Sequence, residues 1–178
     1  GDSADSLALD SQGNVYVTGW SHGGATDSDY ATIKYDPNGN QLWVARYNGP
    51  QNNDDRAYAV AVDLQGNVYV TGYNNGIGIY EDYATIKYDT NGNQLWAATY
   101  NGLGNGKDEA YNLALDLQGN VYVTGTSYGQ GTNYDYATVK YNSNGVQQWV
   151  ARYNGPANLT DGAEALEVDR FGNVYVTG

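Results

Sequence analysis

The 178-residue chain contains no cysteine and no methionine, and it has a single histidine. Without cysteine, disulfide frameworks, thiolate catalysis and cysteine-ligated zinc are excluded. His22 has no second histidine with which to form a zinc site, and no nucleophile-elbow serine with which to form a triad. Several carboxylates are present, but none differs from its repeat counterparts as a catalytic acid/base pair would. The sequence therefore predicts no catalytic residue and no enzyme.

Basic residues are also scarce, since 8 Lys and Arg stand against 20 Asp and Glu, giving a formal net charge of −12. A nucleic-acid binder needs clustered basic side chains to displace phosphate counterions, and this chain has no such cluster. Apolar runs of 18 residues are absent too, so membrane insertion is not predicted. The sequence has neither an initiator Met nor a signal peptide, and we expect it to be a piece of a longer protein.

What the chain does have is 19 Tyr, 4 Trp and 24 Gly. Aromatic and β-branched residues favour a pleated, half-buried surface, which predicts strands. Glycine supplies the tight turns between them. No segment carries the stripe of apolar residues expected of an amphipathic helix. The composition therefore predicts an all-β protein.

A strict repeat of 53 residues runs through the chain. The phrase "DxxGNVYVTG" opens at Asp10, Asp63, Asp116 and Asp169, and "DYATIKYD" at residues 29–36 recurs at 82–89. Each unit contains four strand-like runs, which in the second copy are Ala57–Asp63, Asn67–Tyr73, Tyr83–Asp89 and Asn93–Tyr100. Turns of the type "DLQGN" and "DTNGN" join them, with Asp first and Gly fourth as in a type I turn that closes into a bulge.

These four-stranded antiparallel units have apolar residues on both faces, because Val alternates with Tyr and Thr in "NVYVTG". Sheets stacked around an axis bury both faces, so we predict a β-propeller; a solenoid, whose repeats are generally shorter, is the alternative. The predicted blades are 2–54, 55–107 and 108–160, with a partial blade at 161–178, about three and a half in all. Closed propellers have about 4–8 blades. The missing blades are expected from the same longer chain, or alternatively from another copy.

The phrases "DLQGNVYVTGY", "DYATIKYDPNGNQLWVARYNGP" and "DDRAYAVAV" resemble the bacterial SBBP-type β-propeller repeat family, which is named for seven blades. The resemblance covers nearly the whole chain. It implies a propeller fold and a secreted or cell-surface location in bacteria and archaea. It implies no defined reaction, because the family is mostly a scaffold.

One aspartate recurs just before the innermost strand of every unit. These residues, Asp2, Asp55, Asp108 and Asp161, could form a ring of carboxylates that holds a cation at one mouth of the channel. Alternatively, each side chain braces the inter-blade turn by accepting backbone N–H groups, and repetition in every blade favours this structural role. The turns at residues 36–40 and 89–93 lack the spacing of an EF-hand loop. No cofactor is predicted, and calcium remains possible without support from a motif.

Tryptophan also recurs, at Trp43, Trp96 and Trp149 in the fourth strand, where packing against the next blade is more typical than sugar stacking. Sequence variation concentrates in the second-to-third loops, 21–28, 74–81 and 127–134, and in the blade-to-blade loops. Both sets are expected on one face, where recognition residues usually lie. The candidate ligand-binding residues are Trp20, His22, Tyr73, Tyr80, Tyr128 and Tyr134.

These observations favour a non-catalytic extracellular module that serves as a structural or interaction scaffold and binds a protein or glycan through its variable loops. A lectin-like carbohydrate-binding propeller is the alternative, on the strength of the aromatic and Asn/Asp-rich loops. A lyase or hydrolase at the channel mouth is the least favoured class, because repeat-equivalent acids and one unpartnered histidine do not form an active site.

Overall fold

The computed structural model describes residues 1–23, 27–75 and 80–178. Within these ranges the chain forms fourteen β-strands and no helix. The strands are β1 Asp2–Leu9, β2 Val15–His22, β3 Ser28–Tyr35, β4 Gln41–Tyr47, β5 Arg56–Val62, β6 Val68–Asn75, β7 Glu81–Tyr88, β8 Gln94–Tyr100, β9 Asp108–Leu115, β10 Val121–Tyr128, β11 Tyr134–Tyr141, β12 Gln147–Tyr153, β13 Ala165–Val168 and β14 Val174–Thr177. The prediction of an all-β protein is confirmed.

The strands form three four-stranded antiparallel meanders and one two-stranded sheet. We call β1–β4 blade 1, β5–β8 blade 2, β9–β12 blade 3, and β13–β14 the partial blade. The first strands of successive sheets contact one another in turn, β1 with β5, β5 with β9 and β9 with β13. The sheets therefore follow one another around their inner strands as propeller blades do, and the predicted three and a half blades are confirmed.

The tight turns have the predicted geometry. In the "DLQGN" turn of blade 2, the Gly66 amide donates to the Asp63 carbonyl at 3.0 Å, and Gly66 has a φ of 81°. The Asp63 carboxylate accepts from the backbone N–H groups of Gln65 and Asn67, both at 2.9 Å. Glycine is needed at the fourth position because side chains disfavour this left-handed backbone. The turn at 89–93 repeats the pattern, so these segments are hairpin turns rather than calcium loops.

Each blade buries two different faces. Val68 and Val70 of blade 2 pack with Tyr16 of blade 1, whereas Tyr69 on the other face packs with Val121 of blade 3. These side chains are all fully buried. Alternation along a strand sends neighbouring residues to opposite sides of the sheet. The "VYV" phrase thus supplies both blade interfaces, as predicted.

Polar groups within these interfaces join neighbouring blades. The buried Tyr30 hydroxyl donates to the Ala84 carbonyl at 3.1 Å, and Tyr83 donates to the Ala137 carbonyl at the same distance. Each bond runs from one blade to the backbone of the next. Burying a hydroxyl without a hydrogen-bond partner would lower stability, so each of these bonds offsets the cost of removing the hydroxyl from water.

The fourth-strand tryptophans also reach the following blade. Trp43 donates its indole N–H to the Thr90 carbonyl at 3.0 Å, and Trp96 donates to the Ser143 carbonyl at 3.1 Å. This confirms the prediction that a tryptophan recurring in each blade packs on its neighbour. Trp149 of blade 3 is 37% exposed.

The middle strands extend further than the sequence predicted. In blade 2, β6 continues to Asn75 rather than Tyr73, and β7 begins at Glu81 rather than Tyr83. Asn74 pairs with Asp82 in this extension. Because the added residues are polar, hydrophobic alternation does not reveal them. Much of what was expected to be loop is therefore strand.

Candidate functional site

The two variable loop sets meet at one end of the blades, as predicted. The Tyr128 amide donates to the Lys107 carbonyl at 3.2 Å, and Gly104 donates to the Tyr128 carbonyl at 3.3 Å. These bonds tie the blade 2-to-blade 3 loop to the end of β10. Residues 24–26 and 76–79 of the predicted variable loops lie outside the described residues.

Three of the predicted ligand-binding residues come together at this end. They line a cavity of about 400 Å³ between blades 2 and 3, which we call the tyrosine cleft. Its lining residues are Tyr80, Gly104, Asn105, Gly106, Lys107, Tyr128 and Tyr134. Tyr80 and Tyr128 are 48% and 38% exposed, so their rings are accessible to a ligand. The Tyr128 and Tyr134 rings contact edge to face, with centroids 5.5 Å apart.

Glycines in the blade-to-blade loop set the shape of the cleft. A Cβ atom at Gly106 would lie 2.7 Å from the Tyr128 ring, and one at Gly104 would lie equally close to it. Such a distance is far shorter than normal carbon–carbon contact. The absence of a side chain at Gly104 and Gly106 therefore allows the Tyr128 ring to pack closely against the loop.

Lys107 supplies the charged side chain of the cleft. Its ammonium group lies 3.5 Å from the Glu81 carboxylate and 3.4 Å from the Glu109 carboxylate. Partial burial favours the neutral amine, but the carboxylates of Glu109 and Glu81 raise the pKa of Lys107 overall. The lysine is thus a cation at neutral pH, held between two acids.

The recurring aspartates brace the loops between blades, and Asp108 does so behind the cleft. The Asp108 carboxylate accepts from the Gly102 amide at 2.6 Å and from the Tyr128 amide at 3.1 Å. Asp55 accepts from the Gly49 amide in the same way, at 2.5 Å. Asp55 and Asp108 are fully buried. Their carboxylates accept hydrogen bonds from backbone N–H groups, as expected if these residues brace the turns between blades.

Burial governs the ionisation of these carboxylates. It raises the pKa of Asp55 to about 6 against the opposing effect of its N–H donors, and it raises the pKa of Asp108. Asp161 accepts from the Gly155 amide at 2.7 Å. Asp2 differs, since it is exposed, and the Ser21 hydroxyl lowers its pKa. The four predicted residues are therefore not equivalent in their surroundings.

Trp20, His22 and Tyr73 lie outside the tyrosine cleft. Trp20 was expected at the start of a loop but lies within β2, where the Arg56 guanidinium covers its ring at 4.8 Å. The His22 ring lies 6.4 Å from that of Trp20 at the exposed end of the same strand. Tyr73 is only 6% exposed and packs against Tyr58. Tyr73 is therefore a core residue within β6, which continues past it to Asn75, and not a loop residue.

The sequence reasoning missed one irregularity among the repeats. Position 99 is Thr in "ATYNG", where the other copies have Arg46 and Arg152 in "ARYNG". Those arginines pair with Asp29 and Asp135, whereas the equivalent Asp82 of blade 2 is in no ion pair among the described residues. Aligning the three copies at the end of the fourth strand would have revealed the substitution.

Two further results concern the described part of the chain. No group of three His, Asp or Glu side chains there is arranged to hold a metal ion. Calcium dependence thus stays a prediction that the structure does not test. Nor do the described ranges include a helix long and apolar enough to cross a membrane.

Comparison with known proteins agrees with this architecture. The family model described as "Beta-propeller repeat" (SBBP) matches residues 1–24, 42–79 and 98–133. An uncharacterized WD repeat-containing protein of Acanthamoeba polyphaga mimivirus is 32% identical over an alignment of 148 residues, which covers 74% of this chain and 9% of that protein. The chain thus spans a small part of that relative's length.

Two solved structures share the fold. A protein of unknown function from Bacteroides caccae matches with a TM-score of 0.59 and 12% identity, over 99% of this chain and 53% of that one. A eukaryotic initiation factor matches with a TM-score of 0.53 and 7% identity, over 90% of this chain and 34% of that one. At such low identity, these similarities show the fold alone. The repeat, the four-stranded blades and the matched segments together establish that the chain belongs to the SBBP β-propeller repeat family.

Proposed function

We propose that the chain is a non-catalytic extracellular scaffold that binds a protein or a glycan at the tyrosine cleft. The observation that carries the proposal is the convergence of Tyr80, Tyr128 and Tyr134, from two blades, around one cavity of about 400 Å³. Tyrosine offers a large, rigid and amphipathic contact surface with little loss of conformational entropy. Small-ligand pockets commonly have volumes of roughly 300–1,000 Å³.

The chemistry of the cleft supports binding rather than catalysis. Lys107 is its charged residue, and the two neighbouring glutamates favour the protonated amine. A general base must be deprotonated near the working pH, which this arrangement opposes. The family resemblance supports the extracellular location. The net charge of −12 separately disfavours nucleic acid as a partner.

A lectin-like function is the second candidate. The exposed rings of Tyr80 and Tyr128 could stack on the apolar face of a sugar, and Asn105 adds an exposed amide to the lining of the cleft. The alternative therefore rests on the combination of accessible aromatic rings with a hydrogen-bonding side chain in one cavity.

The tyrosine cleft can be tested with a glycan array and with capture of candidate surface proteins, using wild type, Tyr128→Ala and Tyr175→Ala. Tyr175 is 59% exposed on β14, away from the cleft, and serves as the matched control. We expect Tyr128→Ala to weaken binding by roughly tenfold or more, as loss of an aromatic anchor does, while the control binds normally. A glycan hit favours the lectin, and protein capture with a silent array favours the scaffold. Binding that survives Tyr128→Ala would contradict the cleft as the site.

We further propose that another blade of the same family covers the face of blade 1 that is turned away from blade 2. Val17, Ile33 and Val44 line a groove of about 470 Å³ there, whereas their blade 2 counterparts Val70 and Ile86 are fully buried against blade 1. That blade comes from a longer chain or from another copy. Size-exclusion chromatography with light scattering tests the sources, because a discrete closed dimer would indicate another copy and contradict a longer chain as the source.

A further inference from the structure

Blades 1 and 3 each hold an arginine in a fixed set of contacts near the loop end. Arg152 of β12 donates to the Ser127 hydroxyl at 2.5 Å, to the Ser127 carbonyl at 2.8 Å and to the Asp135 carboxylate at 3.1 Å. Arg46 of β4 donates to the hydroxyl and carbonyl of Ser21, at 2.6 and 3.2 Å, and to Asp29 at 3.3 Å. The same guanidinium site is thus built twice.

Blade 2 keeps the backbone of this site but lacks the arginine. Asn74 pairs with Asp82 and Ala84 pairs with Thr99, in the same register as Ser127 with Asp135 and Ala137 with Arg152. Directly paired residues of antiparallel strands project from the same face. Asn74, Asp82 and Thr99 therefore occupy the positions of the blade 3 serine, aspartate and arginine.

Two acceptor groups of this site have no partner among the described residues. Asp82 is 8% exposed and takes part in no ion pair or side-chain hydrogen bond with any residue in the described ranges. Burial, aided by the charge of Asp108, raises the pKa of Asp82 to about 6. The Asn74 side chain is fully buried, and its Oδ1 atom has no hydrogen-bond partner.

The Asn74 amide is oriented from the neighbouring blade. Its Nδ2 group donates to the Tyr47 hydroxyl of blade 1 at 3.0 Å, much as Arg152 donates to the Tyr100 hydroxyl of blade 2 at 3.1 Å. This bond fixes the direction of the amide and leaves Oδ1 free to accept. A buried acceptor left unpaired is unfavourable, so a donor that reaches it gains binding energy.

We propose that blade 2 binds the guanidinium group of a ligand between the Asp82 carboxylate and Asn74 Oδ1, at the place where blades 1 and 3 carry their own arginine. A guanidinium offers planar N–H donors that match a carboxylate and a second acceptor together. Asn74 and Asp82 are buried whereas Thr99 is exposed, so a guanidinium would approach past Thr99, the side from which the arginine enters in the other blades. A calcium site usually holds several carboxylates among its about six to eight oxygen ligands, and no group of three His, Asp or Glu side chains among the described residues is arranged to hold a metal ion.

This guanidinium site is separate from the tyrosine cleft. It involves Tyr47 of blade 1 with β6, β7 and β8 of blade 2, whereas the cleft lies between blades 2 and 3. The two proposals can therefore succeed or fail independently. The ligand is either a free small molecule or an arginine side chain of a partner protein.

The test is isothermal titration of the 178-residue chain with agmatine, a small guanidinium compound. We expect wild type to bind, and Asp82→Asn and Thr99→Arg to weaken binding by roughly tenfold or more, the value of a hydrogen bond to a charged group. The first substitution removes the carboxylate, and the second supplies the guanidinium from within the chain. Asp29→Asn is the matched control, because Arg46 already occupies its site, and it should bind agmatine as wild type does.

Titration with a Gly-Arg-Gly peptide distinguishes the two sources. Binding of agmatine alone indicates a small-molecule ligand, and binding of both compounds extends the site to an arginine side chain of a partner. Lack of agmatine binding by wild type would overturn the proposal, as would unchanged binding by Thr99→Arg. Because Thr99 is exposed, this second variant keeps the test valid if Asp82→Asn does not fold.

Discussion

The indole N–H of Trp43 in blade 1 donates a 3.0 Å hydrogen bond to the carbonyl oxygen of Thr90 in blade 2. Thr90 belongs to the turn between β7 and β8, and Gly92 of the same turn lies directly beneath the indole ring. A Cβ atom at Gly92 would be 2.9 Å from the ring. The tryptophan therefore fixes one blade on the next through both a hydrogen bond and close packing on bare backbone.

Replacing Gly92 by Ala should destabilise the chain more than the equivalent change in blade 1. Gly39 and Gly92 share a φ of 84°, but a Cβ at Gly39 would meet nothing within 4 Å. We expect Gly39→Ala to cost about 1 kcal/mol for the left-handed backbone and Gly92→Ala about 1–3 kcal/mol more for the clash. Urea unfolding of the two variants measures the difference. Equal losses would show that the Trp43 contact contributes little.

Tyr83→Phe should lower the free energy of unfolding by about 1 kcal/mol, because the buried Ala137 carbonyl loses its hydroxyl donor. Tyr88→Phe is the matched control. Tyr88 is equally buried, at 1% exposure, but its hydroxyl has no hydrogen-bond partner among the described residues. Its removal is expected to be neutral or stabilising. Thermal unfolding followed by circular dichroism compares the two, and equal destabilisation would contradict this account.

Asp82→Asn should change the pH dependence of stability in the absence of ligand. An unfolded Asp has a pKa of about 3.9, and the folded value is raised to about 6. Ionisation of Asp82 thus reduces stability as the pH rises from about 4 to about 6. The variant avoids this loss, so it should equal wild type near pH 4 and exceed it by about 1 kcal/mol at pH 7, a value reduced for solvent screening.

The control for this pH profile is Asp36→Asn in an exposed turn. Asn142 makes the same backbone hydrogen bonds in the blade 3 turn that Asp36 makes in blade 1. Asp36→Asn is therefore expected to keep the wild-type slope between pH 4 and 6. Urea unfolding across this range measures both variants. A wild-type slope in Asp82→Asn would assign the pH dependence to other carboxylates, such as Asp55.

Arg152→Met should be far more damaging than Arg46→Met. The Arg152 side chain is 17% exposed, and its loss leaves the buried Asp135 carboxylate without its cation and with the Thr132 hydroxyl as a neutral donor, which we expect to cost about 3 kcal/mol. The Arg46 side chain is 40% exposed, so its loss should cost about 1 kcal/mol or less. Adding Asp135→Asn to Arg152→Met should recover part of the stability. Failure of that double variant to recover would argue against an unpaired charge as the cause.

Features that recur in every copy could be predicted from the sequence. Val and Tyr alternate in "VYV" with the two-residue period of a strand, which correctly predicted that Val and Tyr lie on opposite faces of each blade. The Asp and Gly of "DLQGN" identified the turns, because few other residues suit that geometry. Repetition of Trp43 and Trp96 correctly indicated packing between blades.

Features that depend on tertiary contacts could not be predicted. Trp20 and Tyr73 were placed beside loops because β2 and β6 continue through polar residues, which carry no hydrophobic signal. The part played by Gly106 emerges only when Tyr128 is seen lying against it. Thr99, by contrast, was visible in the sequence as a break in the repeat, but its meaning required the contacts of Arg152 in blade 3.

The contacts between blades recur at constant offsets along the chain. Trp43 reaches Thr90 and Trp96 reaches Ser143, both 47 residues ahead, while Tyr30 and Tyr83 each reach a carbonyl 54 residues ahead. Removing or duplicating 53 consecutive residues would therefore rejoin donors to equivalent acceptors wherever the cut falls. Unequal recombination between gene copies can then lengthen or shorten such an array one blade at a time. A change in blade number therefore leaves the contacts at each junction between blades the same.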